Sequence, residues 1–303
     1  MYDVIGDIHG HGTILIKLLN RLGYKDYGKG YCHNSRKVIF LGDFIDRGEE
    51  LAEHKLVLNT VMKMVGEGYA YAVMGNHEFN AIAFHTKHND QYLRPHTQKN
   101  TEQHQAFLNE YSDNSVEKKI VLAFFLSLPL WLDFGDLRVV HACWDEKHIS
   151  NIKRSWPSNC LNKEILVQAS IKGTPEYLAV ETLLKGVEVV LPDGEYFHDI
   201  KGHKRHAIRV SWWKQGLKTF SDAVVPAGME LGIIEDMPLP AKMPGYPLSM
   251  PPCFIGHYQL SGKPAPLVKN IGCVDYSVSK TDGKLVAYRW DGEKVLDINK
   301  FVY

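Results

Sequence analysis

Three short apolar runs, each closed by a glycine and then by Asp, Asn or His, set the rhythm of the amino-terminal part of the chain. They are Tyr2–Gly6 before Asp7, Val38–Gly42 before Asp43, and Ala70–Gly75 before Asn76. Runs of this length, rich in Val, Ile and Phe, predict buried strands. Between them the spacing becomes helical. Leu15, Leu18, Leu19 and Leu22 fall at i, i+3, i+4 and i+7 before Gly23, and Val57, Leu58, Val61, Met64 and Val65 repeat the pattern before Gly66 and Gly68. Asp7 and Asp43 lie 36 positions apart, and Asp43 and Asn76 lie 33 apart. Each interval has room for a strand, a crossover helix and a parallel return strand, which takes roughly 30 residues. Ligands of such sheets collect beyond the carboxyl ends of the strands, and all three polar clusters fall there.

The rest of the chain is less regular. Phe84 to Lys119 is polar and carries His85, His88, His96 and His104. It predicts surface loops and an exposed helix over one sheet edge, with these histidines and His11 as polar surface groups. Ile120–Leu132 predicts a helix ending near Pro129, and Leu137–Val140 a strand delivering His141. Seven of the 14 prolines fall between Pro226 and Pro252, which predicts an extended loop. Cys253–Gly256 predicts a strand bringing in His257, and Gly272–Val278 with Leu285–Trp290 a terminal hairpin. The pattern reads as one domain over residues 1–303, with inserted regions near 84–119 and 144–250.

Composition narrows the class. Apolar residues make up 45% and charged residues 23% of the chain, values of a globular protein. Lys and Arg number 35 and so do Asp and Glu, giving zero formal charge. With no clustered basic stripe, extended nucleic-acid binding is disfavoured. Five scattered cysteines without a C-x-x-C pair argue against a disulfide framework and a thiolate metal site, and fit a cytoplasmic setting. No leader pattern opens the sequence and no window approaches 18 apolar residues, so no membrane partner is expected.

In order, the polar clusters read Gly6-Asp7-Ile8-His9-Gly10, Gly42-Asp43-Phe44-Ile45-Asp46-Arg47-Gly48, Gly75-Asn76-His77-Glu78, His141-Ala142 and Gly256-His257. Mixed oxygen and imidazole donors without thiolate suit Mn, Fe, Co or Zn better than Ca or Mg. Manganese or iron is the first choice, with nickel also admitted. The first three clusters resemble the G-D-x-H-G, G-D-x-x-D-R-G and G-N-H-E signatures of calcineurin-like, phosphoprotein-phosphatase-type metallophosphoesterases. The two later histidines match only as short strand-end motifs.

That resemblance implies an α/β fold, a sandwich of two mixed sheets flanked by helices in four α/β/β/α layers. It also implies two divalent ions, one held by Asp7, His9 and Asp43, the other by Asp43, Asn76, His141 and His257. Two cations about 3.5–4 Å apart lower the pKa of a shared water from 15.7 towards about 7, so that it can attack phosphorus in line. Arg47 would clamp the phosphoryl oxygens with its planar fork. His77, oriented by Asp46, would protonate the leaving oxygen. Arg205 or Arg209, within Gly202-His203-Lys204-Arg205-His206-Ala207-Ile208-Arg209, would supply a second phosphate contact, with Arg209 the choice. Glu78 reads as structural. Trp144 and Tyr258 read as packing residues, with base stacking as the competing role.

Two positions depart from the pattern. Many relatives outside the protein-phosphatase branch carry Gly-His-x-His in the last motif, whereas Gln259 stands here, leaving the first ion with fewer protein ligands. The fourth motif, His141-Ala142-Cys143, resembles bacterial dinucleoside-tetraphosphatase-like members more than the His-Gly-Gly of eukaryotic protein phosphatases. The expected activity is metal-dependent hydrolysis of phosphomonoesters or phosphoanhydrides, the substrate being a nucleotide such as a dinucleoside polyphosphate or a phosphoprotein. A phosphodiesterase or nuclease on the same fold, and a metal-binding regulatory module without turnover, remain alternatives.

Overall fold

A computed structural model describes residues 1–303 except 48–52, 112–114, 193, 199–203, 228, 242 and 244. Motif residue Gly48 and residues Gly202 and His203 of the basic segment thus lie outside the described residues. The amino-terminal half runs β1 (Tyr2–Ile5), α1 (Gly12–Arg21), β2 (Lys37–Phe40), α2 (His54–Gly66), β3 (Ala70–Ala72), α3 (Asn76–His85), α4 (Gln98–Glu110) and α5 (Val116–Ser127). Then come β4 (Trp131–Asp133), β5 (Arg138–Val140), α6 (Glu146–Ser155), α7 (Lys163–Ala169), α8 (Pro175–Lys185), β6 (Glu188–Val190) and β7 (Ala207–Arg209). The chain finishes with β8 (Cys253–Ile255), β9 (Ile271–Cys273), β10 (Ala287–Trp290) and β11 (Phe301–Val302). Smaller two-residue pairs are left unlabelled.

Two mixed sheets result, ordered β11-β10-β1-β2-β3 and β9-β8-β5-β4. Alternation along each strand decides what lies on either side. Ile39 and Leu41 point with Val4 and Val73 into a core shared with Val139 and Phe254 of the second sheet. Val38 and Phe40 point the other way, onto Leu15, Leu19, Val57 and Val61 of α1 and α2. On the far side, Val140 and Ile255 meet Leu166 and Leu183 of α7 and α8. The architecture is the four-layer α/β/β/α sandwich expected. A separate small core of Val189, Ile208, Val210, Phe220 and Ile234 holds together part of the 144–250 region.

Parallel register aligns the strand tips. Ile5 pairs with Phe40, Phe40 with Ala72, and Phe254 with Val139. Asp7, Asp43, Asn76, His141 and His257 each follow one of these registered residues within a few positions.

Several expectations are corrected. The Ile120–Leu132 run is not one helix: α5 ends at Ser127, and Trp131 and Leu132 belong to β4. A residue before proline is pushed out of the helical region, so Pro129 separates helix from strand. The terminal hairpin is real only near its tip, where Asp275–Tyr276 pairs with Lys284–Leu285. Its outer arms diverge, β9 joining the second sheet and β10 the first. His11 is buried, its Nε2 3.1 Å from Ser279 Oγ, and His104 is buried as well. Among the described residues, 226–252 carries a 3-10 turn, Gly232–Ile234, and an isolated bridge from Pro238 to Thr219, in keeping with the loop expected.

Candidate metal centre

The motif residues leave their strands through sharp turns. His9, Asp43, Asp46, Arg47 and His257 all adopt positive φ, between 45° and 68°, a conformation side-chain-bearing residues adopt at a cost and that clusters at functional sites. Close approach explains two of the motif glycines. A Cβ on Gly256 would stand 2.1 Å from Asp7 Oδ1, and one on Gly75 would stand 2.3 Å from Asp43 Oδ1.

Glu78 stabilises these turns from behind. Its buried carboxylate accepts hydrogen bonds from the backbone N–H groups of Asp43 (2.7 Å), Phe44 (2.8 Å) and Gly75 (3.0 Å). Burial, then the neighbouring Asp43, push its pKa up to about 7. Replacing Glu78 by Gln sets an amide NH2 against at least one of those donors. The expected loss is about 1–3 kcal/mol, the cost of an unmatched buried polar group. Urea denaturation reads it directly, and an unchanged midpoint would refute the clamp.

Asp43 lies where two groups of potential ligands meet, His9–Asp43–His77 and Asp43–His141–His257. Its Oδ2 is 3.8 Å from His9 Nε2, 3.4 Å from His141 Nε2 and 3.9 Å from His77 Nε2. Asp7 Oδ2 stands 4.0 Å from His9 Nε2 and accepts from the His257 backbone N–H at 3.1 Å. Asn76 Oδ1 lies 3.2 Å from His141 Nε2 and 2.8 Å from His257 Nδ1. All six predicted ligands, Asp7, His9, Asp43, Asn76, His141 and His257, are therefore brought together and buried.

Tautomers reveal what this cluster lacks. His9 Nδ1 donates to Ile45 O at 3.0 Å and His141 Nδ1 to Leu41 O at 2.6 Å, since a carbonyl can only accept. Each ring then turns Nε2 inward, towards Asp43 Oδ2, and burial holds His9 as a neutral imidazole with its lone pair there. His9 Nε2, His257 Nε2 and Asp43 Oδ2 are buried without a hydrogen-bond partner. Buried acceptors without donors, such as His9 Nε2 and Asp43 Oδ2 at 3.8 Å from each other, are what a cation satisfies, so the residues fit the divalent ions that the motifs imply. Burial, then Asp275, hold the Asp7 carboxyl well above the usual carboxylate range. Burial disfavours ionised Asp43 as well, but His141 and His77 outweigh it and draw its pKa well below that range. Burial opposes a proton on His141 too, yet Asp43 lifts it to about 10.

Beside this cluster, His77 Nδ1 donates to Asp46 Oδ2 at 2.9 Å. His104 Nδ1, which sequence reasoning placed on the surface, donates to the other oxygen, Oδ1, at 2.9 Å. Burial works against the Asp46 charge, but the hydrogen bonds from His104 and His77 prevail and lower its pKa. Arg47 is half-buried. With its carboxamide oxygen turned to Arg47, Gln259 accepts from both terminal nitrogens at 3.0 and 3.1 Å. The residue standing where other relatives have a histidine therefore meets the guanidinium.

Arg209, on β7, has a buried Nε without a hydrogen-bond partner, and its guanidinium carbon lies 5.6 Å from the Tyr258 ring centre. After burial, its charge is the largest influence holding His257 well below the ordinary imidazole range. Arg205 is exposed on a small hairpin. Trp144 and Tyr258 are both 4% exposed. Trp144 lies under Arg138, and the Tyr258 hydroxyl accepts from Trp212 Nε1 at 3.0 Å, which leaves packing as their role.

The model of the calcineurin-like phosphoesterase family matches residues 2–228. The chain belongs to that family. Calcineurin-like phosphoesterases are metal-dependent hydrolases of phosphoric esters, in keeping with the donor set above. Among its relatives, the asymmetrical bis(5'-nucleosyl)-tetraphosphatase PrpE of Oceanobacillus iheyensis is 30% identical over 141 residues, 46% of this chain and 54% of that protein. The protein of the same name from Bacillus velezensis is 31% identical over 179 residues, 57% of this chain and 69% of that protein. The chain thus spans little more than half the length of the first. The crystal structure of a cold-active protein-tyrosine phosphatase from a psychrophilic Shewanella superposes with a TM-score of 0.51 at 14% identity, covering 96% of this chain and 78% of that one. At that identity it speaks for the fold alone. Among the described residues no helix is long and apolar enough to cross a membrane.

Proposed function

We propose that this calcineurin-like phosphoesterase is a phosphatase with a dinuclear centre that hydrolyses phosphomonoesters or phosphoanhydrides, a nucleotide such as a dinucleoside polyphosphate being its substrate. One observation carries the reading: the Asp43 carboxylate faces both halves of a buried donor set, its Oδ2 3.8 Å from His9 Nε2 and 3.4 Å from His141 Nε2. Asp7, His9 and Asp43 would hold one divalent cation, and Asp43, Asn76, His141 and His257 the other, manganese being the first choice for both. When bound, such a pair supplies an activated water and neutralises charge on the phosphoryl group.

This chain's own side chains do the rest. Arg47, held by Gln259, offers a fork to two phosphoryl oxygens, and Arg209 approaches from the His257 side. His77 holds a proton for the leaving oxygen on Nε2 while its Nδ1–H is fixed on Asp46. The names of the bacterial relatives favour a nucleotide over a phosphoprotein.

The test is a substrate panel. Metal-stripped protein reloaded with manganese is assayed on p-nitrophenyl phosphate, its bis ester, diadenosine tetraphosphate and a phosphopeptide. Manganese-dependent cleavage of the tetraphosphate, reversed by chelator, is expected. Turnover of the bis ester alone would replace the reading with a phosphodiesterase. Stoichiometric metal binding with no turnover would replace it with a regulatory module.

A further inference from the structure

The mechanism above uses Asp46 only through the oxygen that His77 holds, yet both of its oxygens and its backbone are engaged, and the additional contacts lead to one helix. His104, near the middle of α4, donates from Nδ1 to Asp46 Oδ1 at 2.9 Å. Its ring is buried, stacked on Phe107 with centroids 4.8 Å apart and an interplanar angle of 17°, and its Nε2 lies 3.3 Å from His85 Nε2. With Nδ1 donating to Asp46, a neutral His104 accepts at Nε2, which leaves His85 Nε2 to donate across that contact. The last residue of α4, Glu110, accepts from the backbone N–H and Nδ1 of His54, at 2.7 and 2.8 Å. That fixes His54 Nε2 as the acceptor of the Asp46 backbone N–H at 3.0 Å. One helix therefore grips Asp46 twice, at its carboxylate and at its backbone. Asp46 needs it, since its φ of 61° puts it in a strained turn.

We infer that His104 is a positioning residue for the leaving-group acid: by fixing Asp46 Oδ1 it sets the carboxylate plane, so that Oδ2 holds His77 with Nε2 aimed into the site. This rests on the proposed function. It deepens it in one respect, because an acid held this firmly matters most for leaving groups that cannot depart unprotonated. Such groups are alkoxides and electron-rich phenolates, whereas phosphate anions leave readily. The structure is therefore built to extend hydrolysis to phosphomonoesters of poor leaving groups, in addition to anhydrides.

The experiment compares the parent protein, His104→Phe and His104→Asn, all manganese-loaded, on phosphate monoesters graded from dinitrophenyl to alkyl. Phe keeps the stack on Phe107 without the donor, and Asn restores an N–H near the Nδ1 position. The expected result is that His104→Phe loses kcat/KM about 10–100-fold on alkyl esters, the size of effect typical of removing a group that orients an active side chain. It should lose little on the dinitrophenyl ester, and His104→Asn should recover most of the loss. An equal loss across the series would show a merely structural role and overturn the inference, as would no loss at all. A second readout needs no turnover: in ¹⁵N-histidine spectra the His77 Nδ1 proton should exchange with water faster in His104→Phe than in the parent. If the parent cleaves none of the esters, the extension to poor leaving groups fails, and if it also leaves diadenosine tetraphosphate intact, the proposed function fails on its own. The positioning role is then decided by that exchange rate, and unchanged protection overturns it.

Discussion

Asp43→Asn should abolish manganese-dependent hydrolysis, lowering kcat/KM by more than about 10³-fold, well beyond the 10–100-fold typical of losing a partner that merely orients a ligand. The substitution is nearly isosteric but removes a full negative charge from the point where the two groups of ligands meet. The amide NH2 at the Oδ2 position would stand against His9 Nε2 and His141 Nε2 where a cation would sit, and at the Oδ1 position it would oppose the His77 backbone N–H. Calorimetric titration of the stripped protein with manganese should show at least one of two binding events lost, while the circular dichroism spectrum stays that of the parent. Retention of both events with full turnover would remove Asp43 from the centre and with it the dinuclear reading.

His77→Asn should lower kcat by about 10²–10⁴-fold on alkyl phosphates, the range for loss of a positioned acid. Asn keeps a donor near Nδ1 to meet Asp46 Oδ2 but has nothing at the Nε2 position that can deliver a proton. Manganese affinity should change little, because Asn76, not His77, is assigned to the metal. On dinitrophenyl phosphate, whose leaving group needs no proton, the loss should shrink by most of that factor. A uniform loss with weakened metal binding would instead make His77 a ligand. That outcome has a structural basis, since His77 Nε2 lies 3.9 Å from Asp43 Oδ2 and the two stand with His9 in one group of potential ligands.

Much of this site was legible because each strand-end cluster of proposed ligands follows an apolar run with the signature of a strand, and parallel pairing places successive strand ends side by side. Asp7, Asp43 and Asn76 announce themselves in that way, and His141 and His257 do so more weakly. His104 did not, for a physical reason. It sits on a helix of polar residues, among His, Gln and Asn that mostly do face water, and its partner Asp46 is 58 positions away. A buried imidazole paired to a carboxylate leaves no periodic trace. The one available signal was negative: four histidines in a segment with no assigned task. Gln259 was read as a missing metal ligand, and only three-dimensional placement turned it into a partner of Arg47. Pro129 was visible as a helix stop, but not the strand beyond it, because Trp131 and Leu132 continue the same apolar run.

The fold also distributes the donors unevenly between its layers. Asp7, His9, Asp43 and Asn76 hang from the first sheet, His141 and His257 from the second, and the hydrogen bond from His141 Nδ1 to Leu41 O crosses the seam. Sliding one layer over the other by an ångström would pull the donor set apart while leaving every strand intact, and misplacements of that size are known to cost about 10²-fold in rate. Packing at residues such as Ile39, Val139 and Phe254, remote from any phosphate, is thereby part of the alignment of the hydrolytic apparatus.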